Sequence, residues 1–121
     1  MNNSITIVDP LADEADLLKS VLEEAGFGYR CRTLSQLDHL GDAFSAGEAD
    51  VVLVDQDLID GSALRLLQKL KRNHRGLRVL ILAHEVSQDL YRRAMEHALD
   101  GFCLKGDDYP ALIDSIEQTI N

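Results

Sequence analysis

The chain has 121 residues, 45% hydrophobic and 27% charged, which is enough for one core and leaves no room for a second domain of ordinary size. Twelve Lys and Arg against 21 Asp and Glu give a formal net charge of -9, which disfavours any role that lays a nucleic acid across the surface. The opening MNNSITIVDP lacks a basic region followed by a long apolar stretch, and no apolar run approaches the roughly 18 residues of a membrane span, so a cytoplasmic protein is expected.

Short apolar segments then alternate with helical ones along the chain. Ser4 to Val8 reads as a first strand. Leu18, Val21, Leu22 and Ala25 follow at i, i+3, i+4 and i+7, the stripe of a helix that stops at Gly26. Tyr29 to Thr33 is a second strand of mixed polarity, as suits a sheet edge. Ser35 is a candidate N-cap for a short second helix containing Leu37, Leu40 and Phe44. Val51 to Val54 is a third strand, and a helix striped by Leu64, Leu67 and Leu70 starts near Ser62 and closes at Gly76. Arg78 to Leu82 is a fourth strand, after which Ser87 caps a helix carrying Leu90, Ala94 and Ala98. Phe102 to Leu104 is the fifth strand. Pro110 suits the first turn of a last helix, whose inner face is Leu112, Ile113, Ile116 and Ile120.

Strands one, three and four are almost continuous Ile, Val and Leu, as strands covered on both faces must be. Repeated βα units of this kind predict an α/β fold, a doubly wound parallel sheet with right-handed crossovers, as one domain spanning residues 1 to 121. Cys31 and Cys103 fit neither a disulfide framework nor a zinc spacing and read as ordinary strand thiols. The four histidines form no ligand spacing, and the basic stretch from Lys69 to Arg78 reads as a solvated helix end.

In such sheets the functional crevice lies beyond the carboxyl ends of the strands. Asp9 follows strand one, Asp55 ends strand three in VVLVDQDLIDG, and Lys105 follows strand five. With strand order 2-1-3-4-5, the two acids converge and the lysine reaches them from the far side. Two carboxylates about 4 Å apart repel by roughly 4 kcal/mol at an effective dielectric near 20. A small hard cation such as Mg²⁺, which takes one or two carboxylates plus waters and phosphate oxygens, would offset that repulsion.

The ordered motifs IVD at 7 to 9, VLVDQDLIDG at 52 to 61 and DGFCLK at 100 to 105 resemble the receiver domain of bacterial two-component response regulators, over essentially the whole chain. The resemblance implies the flavodoxin-like (βα)5 fold. It makes Asp55 the phospho-acceptor, Lys105 the lysine that pairs with the phosphoryl group, and Asp9 and Asp55 Mg²⁺ ligands, with a main-chain contact from Asp57. Phe102 falls at the aromatic switch position. Expected partners are a histidine kinase or phosphotransfer protein and an output protein or domain. A homodimer through the fourth helix, fifth strand and fifth helix, the region of Tyr91, Arg92, Arg93 and Tyr109, is a further expectation. The domain is regulatory rather than an enzyme.

Four positions depart from that pattern. Pro10 stands where a second acid is usual, and Ala83 where a Ser or Thr hydroxyl meets the phosphoryl group. Ile59 and Gly106 replace prolines. The Asp57 carboxylate could turn inward to replace the acid absent at Pro10. Loss of the hydroxyl predicts weak coupling of phosphorylation to the switch face, or a degenerate receiver acting as an interaction or dimerisation module without phosphorylation.

Other readings fit less well. Asp55-Gln56-Asp57 satisfies the start of a haloacid-dehalogenase phosphatase motif, but after the third strand and without a hydroxyl at Ile59. An EF-hand loop would need Gly where Asp60 stands. A flavin phosphate after strand one would meet Asp9 instead of a glycine-rich loop of N–H donors.

Overall fold

The computed structural model describes residues 3–40, 51–106 and 108–120. Five strands, β1 (Asn3–Val8), β2 (Tyr29–Leu34), β3 (Val51–Asp55), β4 (Arg78–Ala83) and β5 (Gly101–Leu104), pair in parallel in the order β2-β1-β3-β4-β5. Among the described residues four helices accompany them: α1 (Ala12–Glu24), α2 (Gly61–Asn73), α3 (Gln88–Glu96) and, after β5, α4 (Tyr109–Ile120). They are the first, third, fourth and fifth helical segments of the sequence. The alternating pattern predicts the parallel sheet, and this order is the flavodoxin-like topology that the receiver resemblance implies.

The central strands are apolar throughout because each face of the sheet has its own core. Ile5, Ile7, Val51, Leu53, Leu80 and Leu82 point to one side, against Leu18 and Leu22 of α1 and Leu112 and Ile116 of α4. Val8, Val52, Val54, Val79 and Ile81 point to the other, against Leu64, Leu67 and Leu70 of α2 and Ala94 of α3. Successive residues of a strand face opposite ways, so one unbroken run serves both cores. Each fully buried Val, Leu or Ile contributes about 1.5 to 3 kcal/mol relative to its exposed state.

Helix boundaries follow local chemistry. Asp60 Oδ1 accepts from Ala63 N at 2.8 Å and from Ser62 Oγ at 2.8 Å, so α2 starts just after this acid. Ser87 caps α3 as expected, its Oγ accepting from Leu90 N at 3.0 Å. Gly26, at φ 88°, ends the turn after α1.

One expectation changes and another lies mostly outside the described residues. Leu37–His39 forms a 3₁₀ turn and Leu40, buried, is the first helical residue after it; the rest of the expected second helix, Phe44 included, lies outside the described residues. The helix after Ser87 stops at Glu96, before Ala98, which takes a left-handed φ of 60°. Leu99 N donates to Ala94 O at 3.0 Å and Ala98 N to Met95 O at 3.1 Å, the paired bonds of a Schellman closure with alanine where glycine is usual. Lys71 reinforces it, donating to Ala98 O at 2.8 Å and to Asp100 Oδ2 at 2.6 Å.

Candidate functional site

The register of the sheet sets the site. Val8 pairs with Val54, so the residues that follow, Asp9 and Asp55, emerge side by side at the carboxyl ends of β1 and β3. Lys105 follows β5, and its N–H continues the ladder by donating to Ala83 O at 2.7 Å, which fixes where the side chain begins its reach across β4.

Both acids are only 2% exposed and divide their oxygens in the same way. Asp9 Oδ1 accepts from Leu11 N at 2.9 Å and Asp55 Oδ1 from Asp57 N at 2.8 Å, so each carboxylate shapes the turn that leaves its own strand. The second oxygens converge on Lys105, whose Nζ donates to Asp9 Oδ2 at 2.9 Å and to Asp55 Oδ2. Glu14, in the first turn of α1, accepts from the same ammonium at 2.9 Å. Burial alone would lower the Lys105 pKa. Hydrogen bonds to Asp55, Glu14 and Asp9 outweigh it and hold the group above the ordinary lysine value.

The structure therefore gathers Asp9, Asp55 and Lys105, the residues expected at the strand ends, and adds Glu14, which sequence reasoning did not single out. Oxygens of Asp9, Glu14 and Asp55 all lie within 4.8 Å of one another. Such a set of hard oxygen donors suits Mg²⁺. A hollow of about 260 Å³ opens beside it, lined by Asp9, Glu14, Leu17, His84, Lys105 and Tyr109 among others. Asp57 is exposed, and its carboxylate is outside that group of oxygens.

Ala83 and Phe102, the residues expected at the switch positions, lie on β4 and β5. Ala83 is fully buried at the end of β4 and brings no hydroxyl. The next residue is held from below instead: His84 N donates to Gln56 Oε1 at 2.9 Å, a tie between the β4–α3 loop and the residue after Asp55. Phe102 is half-buried and stacks on Tyr91 of α3, with ring centroids 6.0 Å apart. Tyr91 and Leu104 are 55% and 60% exposed, which leaves apolar surface on the face formed by α3 and β5.

Residues 5–117 match the family profile described as the response regulator receiver domain. No curated protein sequence matches the chain. Among solved structures, a putative pilus assembly-related protein from Burkholderia pseudomallei superposes with a TM-score of 0.85 at 20% identity, over 98% of this chain and 89% of that one. A response regulator from Thermotoga maritima gives a TM-score of 0.85 at 18% identity, over 99% and 98%. NtrX from Brucella abortus, in complex with ATP, gives 0.81 at 24% identity; 99% of this chain covers 27% of that longer one. These likenesses are likenesses of fold.

Proposed function

The chain belongs to the response regulator receiver domain family, the regulatory domains of two-component signalling, and from that membership we propose that Asp55 is its phospho-acceptor. One observation carries the reading: a single ammonium, Lys105, bonds both Asp9 and Asp55 at the adjoining ends of β1 and β3. In the transfer, an oxygen of the Asp55 carboxylate bonds to phosphorus as the P–N bond of a phosphohistidine on a histidine kinase or phosphotransfer protein breaks. The freed imidazole nitrogen takes a proton.

The protein's part is positioning and charge. Asp57 N holds Asp55 Oδ1, which leaves Oδ2, the oxygen bonded to Lys105, as the one to attack phosphorus. Lys105, already protonated, is the group to pair with the incoming phosphoryl oxygens. Asp9 and Asp55, with the main chain at Asp57, would hold Mg²⁺, which when bound offsets the negative charge gathered there. The hollow beside Lys105 gives access from solvent. An output protein or domain would read the result on the face of α3, β5 and α4, where Tyr91, Met95 and Leu104 are exposed; a homodimer would use the same face. No described helix is long and apolar enough to cross a membrane, and the reading places the domain with its kinase in the cytoplasm.

Ala83 favours a second reading, a receiver that acts through binding alone. With no hydroxyl at the end of β4 and the adjacent backbone tied to Gln56, phosphate at Asp55 has little with which to pull the loop. A single labelling experiment separates the two. Incubation with acetyl phosphate and Mg²⁺, followed by intact mass measurement, should add one phosphoryl group to the parent chain and none to Asp55→Asn. A folded parent chain that takes no label, or label that persists in Asp55→Asn, overturns the acceptor reading and leaves the binding module.

A further inference from the structure

Pro10 removes from this pocket an acid that the receiver pattern supplies next to Asp9, and the proline fixes a tight path into α1. Asp9 Oδ1 takes Leu11 N, and Ala15 N bonds Leu11 O at 3.1 Å, so Leu11 caps the helix directly after the strand-end turn and α1 begins at Ala12. That places Glu14 in the first turn, with a side chain long enough to lie back over the strand ends. Its carboxylate meets Lys105 Nζ at 2.9 Å, within 4.8 Å of the ligand oxygens of Asp9 and Asp55.

We propose that Glu14 stands in for the acid absent at Pro10, binding Mg²⁺ together with Asp9 and Asp55. The proposal rests on the acceptor reading above. The division of labour follows from burial. Asp9 and Asp55 are almost fully enclosed and have one oxygen each committed to the backbone, whereas the Glu14 side chain is 47% exposed. It stands on the solvent side of the pocket, where a hydrated ion enters. A half-exposed ion pair is weak, so Glu14 can exchange Lys105 for a divalent ion at little cost. Asp57, the other acid near the pocket, is exposed and has no oxygen within the group.

The test is Mg²⁺ affinity of the full chain, by calorimetry and by amide shifts of residues 9 to 14 and 55 to 57. Glu14→Gln should weaken binding by about tenfold or more, as loss of a charged ligand does, while Asp13→Asn, an equal charge change on the same turn, leaves it within roughly twofold. Pro10→Asp added to Glu14→Gln should recover most of the loss. Equal affinity of Glu14→Gln and parent, equal weakening by Asp13→Asn, or no recovery with Pro10→Asp each overturns the role of Glu14 and leaves the acceptor reading of Asp55 in place. A parent chain whose Asp9 and Asp55 amides do not respond to Mg²⁺ overturns the metal assignment altogether.

Discussion

Replacing Lys105 by methionine isolates the electrostatics of the pocket, because the apolar stem is kept and only the ammonium is lost. Asp9 and Asp55 then keep their enclosure, and carboxylate oxygens no more than 4.8 Å apart repel by about 3.5 kcal/mol or more at an effective dielectric near 20. Removing one partner of a buried ion pair costs about 3 to 5 kcal/mol. Glu14 is half-exposed and the hollow admits water, so the loss should fall at the low end, about 3 kcal/mol. For a domain of this size, that lowers the melting temperature by about 10 to 15 °C. Urea unfolding at neutral pH, followed by far-UV circular dichroism because the chain has no tryptophan, gives the number directly. Asp55→Asn in the Lys105→Met background should return at least about half of it, since one of the repelling charges is gone. A loss below about 1 kcal/mol at unchanged m, or a double variant no more stable than the single one, would refute the argument that these three side chains share one pocket.

Ala98→Gly relieves a left-handed alanine at the close of α3 and keeps the carbonyl that Lys71 bonds, so it should stabilise the fold by about 0.5 to 1 kcal/mol; a destabilised variant in thermal unfolding would contradict backbone strain at that turn. Burial pushes the Cys103 thiol up to about 12 and, with Glu23, the Cys31 thiol up to about 11. The folded state thus holds these protons more tightly than the unfolded chain. Their contribution is complete below about pH 9 and is lost as pH rises toward the folded values, by at most about 1.4 kcal/mol per pH unit for each thiol. Cys103→Ala should flatten that alkaline slope in denaturation curves taken between about pH 8 and pH 11, and parallel curves for the two proteins would contradict it.

How much of this the sequence disclosed depends on whether a residue's role is written in its periodicity. β1, β3 and β4 are legible because a strand covered on both faces must be apolar at every position, and Ser87 because a hydroxyl before an amphipathic stretch has one common use. Asp9, Asp55 and Lys105 are legible by place, each following an apolar strand. Glu14 is not. Beside Asp13 and Asp16 it looks like any acid favoured at a helix N-terminus, and only the direction in which α1 leaves Asp9 distinguishes it. Gln56 is equally silent, since a surface glutamine after a strand carries no pattern. The end of α3 is illegible for a related reason: spacing of four extends the stripe to Ala98, while the Schellman bonds that stop the helix depend on backbone angles that alanine does not advertise.

The Lys105 tether spans a long stretch of chain, 96 residues from Asp9 and 50 from Asp55. On a ribosome, where polypeptide emerges amino end first, both anions are made well before their counter-ion. A nascent fragment ending ahead of β5 would hold two enclosed negative groups with nothing opposite them, and the tips of β1 and β3 would push apart. Arrival of β5 with Lys105 therefore acts as a latch on the tips of β1 and β3, which belong to the amino-terminal half of the chain.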